Sequence, residues 1–222
     1  AATMLVVGLV DIPVQDDGAG ETAARPLRVI ARQPAFVIAV LASVVGYSVM
    51  ALMMTATPIA MVTHDHSFGD AAFVIQWHAL AMFAPSFVTG SIIRRVGVVN
   101  VIIAGIVLIA ASIAVALSGT GLAAFWIALF LLGIGWNFMF VGGTTLLTET
   151  YRPSERAKVQ GVNDLAVFGS VAIASLSSGV LLQSFGWQAV SYGAVPFLLV
   201  ASIAVAVFAL SRRSAQARAL KI

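Results

Sequence analysis

Long stretches without a charged side chain are the feature that most constrains this sequence. No Asp, Glu, Lys or Arg occurs from Gln33 to Thr63, from Ala71 to Ile93, from Val96 to Thr148 or from Leu165 to Ser211. A helix needs about 20 apolar residues to cross the hydrocarbon core of a bilayer, and each run is at least that long. With 60% hydrophobic and only 9% charged residues, the chain also carries more apolar surface than a water-soluble domain could bury. We therefore predict an integral membrane protein.

The two longest runs predict two spans each, because turn signals interrupt them at "SGTG" (Ser118 to Gly121) and "SFGW" (Ser184 to Trp187). Membrane β-strands would show segments of about ten residues with alternating polarity, and none are seen. The sequence therefore predicts an all-α membrane protein with six transmembrane helices. The predicted spans cover residues 34–62, 71–93, 97–117, 122–148, 157–182 and 188–210.

The basic residues all fall on one side of this six-span topology. The chain has 12 Lys and Arg residues, and every one precedes the first predicted span or follows the second, fourth or sixth. The opposite side carries only His64, Asp65, His66 and Asp70. The positive-inside rule then places the basic side in the cytoplasm, in a plasma or inner membrane. Because these bases lie at span ends without interleaved aromatic residues, we expect no nucleic-acid partner.

Two pairs of glycines suggest an internal repeat. Gly90 and Gly97 flank the end of the second predicted span, and Gly179 and Gly186 recur at the same spacing 89 residues later, at the end of the fifth. The two copies would face opposite sides of the membrane, as expected of an inverted 3+3 helix repeat. Small residues at this kind of spacing are also common where membrane helices pack closely, and that alternative stays open.

Two cytoplasmic segments carry a family resemblance. "GSIIRRVG" resembles the loop motif Gly-x-Leu-x-Asp-Arg-x-Gly of the major facilitator superfamily, in its second copy between the eighth and ninth helices. Arg94 stands at the usual acidic position, so the salt bridge within that motif is not expected here. "TETYRPSERAKVQG" (Thr148 to Gly161) is similar to that superfamily's loop between the tenth and eleventh helices. The resemblance covers about residues 25–211.

This resemblance implies that the chain is the C-terminal six-helix half of a twelve-helix transporter. The implied partners are the bilayer, a small-molecule substrate, and either the N-terminal half of the same transporter or a second copy of this chain. It also implies a cytoplasmic gate, in which Glu149 at the membrane edge is the natural acidic partner. The implied gate residues are Gly90, Arg94, Arg95, Gly97, Glu149, Arg152 and Arg156.

The chain then divides into three parts. Residues 1–33 would contain the end of a preceding helix or a disordered end, an acidic cytoplasmic linker, and a short interfacial helix with Arg25, Arg28 and Arg32 on one face. Residues 34–211 would form the six-helix bundle, and residues 212–222 a basic cytoplasmic tail.

Two helix faces are candidates for a substrate cavity. The first face lies on the first span, whose helix is weakened by Gly46 and Pro58. The second lies on the fourth span, where the Asn137 amide lies beside two aromatic rings. Each face has a structural alternative, namely methionine gap-filling in the first case and a helix–helix hydrogen bond from Asn137 in the second. The candidate cavity residues are Tyr47, Met50, Met54, Thr57, Met61, Gly133, Trp136, Asn137, Phe140 and Thr144, with His78 and Met82 from the second span.

Ionisable groups inside a membrane are costly, and they therefore mark functional positions. His78 lies about two turns into the second span, where a buried neutral histidine and a proton carrier are both open. Asp164 lies about 15 Å beyond Ser154 along a helix that begins there, which predicts a position below the headgroups. We expect burial to raise its pKa and make it a proton or charge switch, unless a nearby base pairs with it.

The function predicted from these features is secondary active transport of a small lipophilic or amphipathic molecule by alternating access, with efflux slightly favoured over uptake and no cofactor. A six-helix channel or a non-transporting membrane partner is the alternative. An intramembrane protease built on "SLSSG" is a more distant one, because all three histidines precede that serine segment. "HDH" (His64 to His66) lacks further ligands for a metal, so no metal site is expected. No enzymatic activity is expected either.

Overall fold

The computed structural model describes the backbone of residues 24–219 and the side chains of residues 24–212 and 214. Helices and short connections make up this part of the chain, and no strand occurs within it. A single 3-10 turn, Pro153–Glu155, precedes the last helix. The α-helices are α1 (Leu27–Ile30), α2 (Pro34–Thr63), α3 (Phe68–Phe83), α4 (Ser86–Val96), α5 (Val98–Ser118), α6 (Leu122–Thr148) and α7 (Arg156–Ala219).

Most of the predicted span boundaries agree with these helices within a few residues. The second predicted span is broken, because α3 and α4 meet at a 42° bend. Pro85 explains the break, since proline has no N–H to donate to the preceding turn and its ring clashes with that turn. Four helices between residues 24 and 219 are long and apolar enough to cross a membrane, or five if α3 and α4 form one broken span.

The fifth and sixth predicted spans both lie in α7, which is interrupted at Gly186. The φ of 79° and ψ of −178° at this residue are not helical, and the positive φ favours glycine. An unbroken helix would place Arg212 about 84 Å from Arg156. Instead, Arg212 Nη2 lies 2.7 Å from Glu149 Oε2, only a few residues before α7 begins. The first arm of α7 (156–185) and the second arm (187–219) therefore run in opposite directions.

Glycines on α6 allow three other helices to approach it closely. A methyl group added at Gly133 would lie 2.8 Å from a backbone oxygen of α3, and one at Gly135 would lie 3.0 Å from the carbonyl oxygen of Gly105 on α5. One at Gly143 would lie 2.9 Å from the carbonyl oxygen of Ala39 on α2. Close backbone approach of this kind is a principal source of helix association in lipid. α6 is therefore the central packing element of the bundle.

The glycines of the predicted repeat have similar backbone geometry. Gly97 ends α4 with a φ of 88°, and Gly186, 89 residues later, has a φ of 79°. In both places the chain leaves one helix and begins another in a new direction. A methyl group at Gly90 or Gly179 would touch nothing within 4 Å, so neither serves close packing among residues 24–219. The six-span inverted repeat remains a prediction.

Candidate functional site

Five aromatic side chains from four helices meet around Tyr47. We call this cluster, formed by Tyr47, Phe83, Trp136, Phe140 and Phe168, the aromatic box. The Tyr47 ring stands edge-on to Trp136 at a centroid distance of 5.1 Å and to Phe140 at 5.3 Å. Phe168 of α7 lies 6.0 Å from Tyr47, and Phe83 of α3 lies 6.0 Å from Trp136. Such aromatic contacts contribute about 0.5–1.5 kcal/mol per pair beyond area burial.

Two rings of the aromatic box stack on each other along α6, and two others are exposed. Trp136 and Phe140 stack with an interplanar angle of 9° and centroids 5.2 Å apart, which is the separation expected one turn apart on α6. Trp136 is buried, yet its indole N–H has no hydrogen-bond partner among the described residues. Phe83 and Phe168 are 62% and 58% exposed on the surface of the bundle. The exposed rings of Phe83 and Phe168 can therefore stack on a flat molecule at the surface of the bundle, whereas the Trp136 indole N–H is buried.

Several other predicted cavity residues pack between helices instead. Met50, Thr57 and Met82 are buried, and the Thr57 hydroxyl donates to the carbonyl of Met53 one turn earlier. Met61 and Gly133 are buried too, Met54 is half-buried, and the hydroxyl of half-buried Thr144 donates to the Phe140 carbonyl. In this conformation, the first-span methionine face matches the gap-filling alternative at Met50 and Met61.

Asn137 is used in a helix–helix contact at the break between α3 and α4. Its Nδ2 donates to the Met82 carbonyl and to Ser86 Oγ, both at 2.7 Å, and its Oδ1 lies 2.8 Å from Thr89 Oγ1. The side chain is buried. The Asn137 amide therefore donates hydrogen bonds to polar groups at the proline break. This matches the structural alternative, a helix–helix hydrogen bond from Asn137.

His78 is fully buried between α3 and α6. Its Nδ1 lies 2.7 Å from the carbonyl oxygen of Leu129, and because a carbonyl only accepts, Nδ1 carries the hydrogen. Its Nε2 has no hydrogen-bond partner in the part of the chain that the structure describes. The histidine thus holds α3 against α6 and keeps one unused acceptor.

Asp164 lies on the surface of the first arm of α7, one turn before Phe168. Its side chain is exposed, and Oδ1 accepts a hydrogen bond of 3.3 Å from Asn163 Nδ2. The expected position of Asp164 below the headgroups stays a prediction, and within residues 24–212 no packing covers its side chain. The buried residues in this part of α7 are Val159, Asn163 and Val167.

The candidate gate residues lie at the basic end of the bundle. Glu149 pairs with Arg212, and both side chains are 43% exposed. Arg94 donates to Ser91 Oγ at 2.9 Å, and Arg95 is exposed. Arg152 and Arg156 are exposed as well, as are Gly90 and Gly97. Glu149 thus contacts a base of the second arm of α7 rather than Arg94 or Arg95.

Glu155 accepts more of the described hydrogen bonds at this end than Glu149 does. It is fully buried, and it accepts hydrogen bonds from Arg25 Nη2 at 2.6 Å, from Arg25 Nε at 2.8 Å and from the Arg25 backbone N–H at 2.9 Å. Arg25 and Gln33 also donate to the Thr150 carbonyl at 3.1 and 3.0 Å. We call Arg25, Gln33, Thr150 and Glu155 the linker clamp, because it fixes the segment before α2 to the connection between α6 and α7.

The electrostatics of the linker clamp keep it charged. The hydrogen bonds from Arg25 hold the pKa of the Glu155 carboxyl far below its usual range, and the Arg152 backbone N–H at 3.0 Å acts in the same direction. The same contact raises the pKa of the Arg25 guanidinium. The pair is thus ionised throughout the physiological pH range.

Sequence reasoning did not find Phe83, Phe168 or Arg25 as site residues, and it placed Glu155 in the cytoplasmic gate without its partner Arg25. Phe168 follows Asp164 by four residues on the same helix face, which is a signal that could have joined it to the candidate set. The pairing of Arg25 with Glu155 spans 130 residues, and no local pattern marks it.

Comparison with known proteins agrees with this geometry. The family model of the Major Facilitator Superfamily matches residues 9–221. The chain belongs to the major facilitator superfamily. It is therefore a multi-pass integral membrane protein of a transporter family rather than an enzyme.

Individual relatives agree with this assignment. The chain is 46% identical over 203 residues to the riboflavin transporter RfnT of Brucella anthropi, covering 87% of this chain and 51% of that protein. It is 36% identical over 160 residues to the uncharacterised MFS-type transporter YdeG of Bacillus subtilis, covering 71% of this chain and 37% of that protein. The chain thus spans about half the length of the first of these relatives and less of the second. No solved structure matches it significantly.

Proposed function

We propose that this chain forms one six-span half of a secondary transporter that moves a small amphipathic molecule with a planar heteroaromatic ring, of the flavin type, by alternating access. The observation that carries the proposal is the aromatic box, in which Phe83 and Phe168 are exposed at the surface of the bundle, Tyr47 and Phe140 are half-buried and Trp136 is buried. The relative named as a riboflavin transporter supports this ring chemistry. The second half is either the rest of a longer chain or another copy of this one.

The six-span inverted arrangement has two supports. The two arms of α7 run in opposite directions around Gly186, so each arm can count as a span. The positive φ values of Gly97 and Gly186 occur at equivalent places of the predicted repeat. The two ion pairs bring Arg25 and Arg212 to the end that carries Glu149 and Glu155, which supports a cytoplasmic position in the inner membrane for both ends of the bundle.

Within this proposal, the predicted residues take different parts. Tyr47, Trp136 and Phe140 contact the substrate ring, and Asp164 and His78 remain the candidates for a proton or charge switch. The ion pair between Glu149 and Arg212 belongs to the cytoplasmic gate. A few contacts of this kind that exist in only one state bias the equilibrium between the two states.

Transport of riboflavin into liposomes that contain the full-length transporter tests the proposal. We expect saturable flux that falls at least tenfold in Tyr47→Ala and Trp136→Leu, because both substitutions remove ring surface from the box. Trp126→Leu is the matched control, since Trp126 stacks on Phe130 at 5.5 Å outside the box. Equal flux in all three variants would contradict the assignment, and single-channel currents would instead favour the channel alternative.

A further inference from the structure

One negative charge accompanies the aromatic box. Asp164 lies one helical turn from Phe168, a spacing that brings two side chains to about 5–6 Å between Cβ atoms. Its carboxylate is exposed on the same side of α7, and its only hydrogen bond in the described chain comes from the neutral amide of Asn163. No base of residues 24–212 forms an ion pair with it. The charge is therefore available to a ligand that occupies the box.

The rest of the box surroundings offers no positive charge to offset it. The sequence contains no Lys or Arg in α2, in α6, or in the first arm of α7 after Lys158. Asp164 is the only formally charged residue in these three segments, so its carboxylate sets the sign of the local potential. A phosphate beside it is repelled, whereas a hydroxyl group that donates a hydrogen to it forms a strong charge-assisted bond.

The polar neighbours on the outer side of the box are neutral. Thr55 Oγ1 and Ser175 Oγ lie 3.2 Å apart between α2 and α7, seven residues beyond Phe168 on the same helix face. The contact side of the box therefore runs from a carboxylate, across aromatic rings, to a pair of hydroxyls. This order fits a flat ring that carries an uncharged hydroxylated chain.

We propose that Asp164 is a specificity-determining residue that makes the aromatic box select planar heteroaromatic ligands with a neutral hydroxylated chain and reject their phosphate esters. This inference rests on the proposed function, and it names the substrate class of the same site. Rejection by a like charge is an effective way to discriminate ligands that share a ring.

The test measures binding to the purified full-length transporter, by the quenching of flavin fluorescence when the ring stacks on aromatic residues. Three probes separate the contributions: riboflavin, riboflavin 5′-phosphate, and lumichrome, which has the corresponding alloxazine ring without the hydroxylated chain. We expect the wild-type protein to prefer riboflavin to its phosphate ester at least tenfold. In Asp164→Asn this preference should fall about tenfold, because the repulsion and the charge-assisted bond are both lost, while lumichrome affinity should change less than twofold.

Two further variants keep the result interpretable. Asp164→Glu retains the charge and should retain the preference, which shows that the site survives substitution. Asp65→Asn removes an exposed carboxylate at the opposite end of the bundle and should leave the preference unchanged. An unchanged preference in Asp164→Asn, with riboflavin still bound, would overturn the inference alone. Failure of the wild-type protein to bind any of the three probes would overturn the flavin-type substrate of the proposed function as well.

Discussion

Asn137 joins α6 to both sides of the break at Pro85, through Met82 on α3 and through Ser86 and Thr89 on α4. A backbone carbonyl that a bend leaves without its helical N–H needs another donor inside a membrane, because no water replaces the lost bond. One amide thus stabilises the bent shape of the second predicted span. Trp136, the neighbour of Asn137 on α6, is part of the aromatic box.

We predict that Asn137→Ala destabilises the protein by about 1–2 kcal/mol, because it leaves the Met82 carbonyl without its side-chain donor. Reversible unfolding in mixed detergent micelles measures this change. Asn100→Ala is the control, since the Asn100 amide donates to the Val96 carbonyl at an exposed helix end. Equal losses in the two variants would show that the Asn137 network contributes nothing specific.

The individual site residues were predictable from sequence only where they share a helix face. Trp136 and Phe140 lie one turn apart on α6, so helical periodicity placed them together. Phe83 and Phe168 come from other helices, and which rings converge depends on packing that the periodicity of one helix does not encode. For Asp164 the sequence predicted only a depth along the helix, and depth does not specify which side of α7 faces the bundle.

At the scale of elements, the glycines of α6 set the helix spacing. A methyl group at Gly135 would lie 2.7 Å from Ile109 Cγ1, a contact that ordinary packing does not tolerate. We predict that Gly135→Ala destabilises the bundle by about 1–3 kcal/mol, which is typical of overpacking. Thermal unfolding of the purified full-length transporter measures this loss.

Gly169→Ala is the matched control for this prediction, since a methyl group there meets nothing within 4 Å of the described chain. Alanine is favoured over glycine in a helix by up to about 1 kcal/mol, so this variant should be neutral or slightly stabilising. If both variants behaved alike, close approach at Gly135 would not limit the packing of α5 on α6.

The linker clamp connects elements that are far apart in sequence, and its charge state predicts its pH dependence. The pKa of Glu155 is lower in the folded protein than in the unfolded chain, where a glutamate has a pKa of about 4.3. Its contribution to stability is therefore fully present above about pH 4.3, and it is lost as the pH falls through the folded pKa. We predict that the difference in Tm between wild type and Glu155→Gln is constant from pH 6 to pH 8 and shrinks in acid.

Glu149→Gln serves as the comparison for the linker clamp. The partner of Glu149 is Arg212, and both side chains are 43% exposed, so salt should screen this pair. Raising the ionic strength should therefore reduce the effect of Glu149→Gln more than that of Glu155→Gln. A larger salt sensitivity at Glu155 would contradict the buried position of its carboxylate.

For the whole molecule, the charge distribution and the uncharged runs predicted the membrane class and most helix bounds. These features work because the bilayer imposes length and charge rules on any chain that crosses it. The same rules do not report how spans are broken. The bend at Pro85 and the reversal of α7 at Gly186 both depend on local backbone geometry.

The last prediction tests whether the two arms of α7 cross the membrane as separate spans. The sequence contains no cysteine, so single cysteines can be introduced without a background. In sealed inner-membrane vesicles with one accessible face, cysteines at Arg94 and Arg212 should react with a membrane-impermeant maleimide from one side. Cysteines at His66 and Ser184 should react only from the other side, because Ser184 lies next to the turn at Gly186.

Detergent should make all four positions reactive, which controls for burial. Labelling of Ser184 from the same side as Arg212 would mean that the two arms do not cross the membrane separately, and the six-span topology would then be wrong.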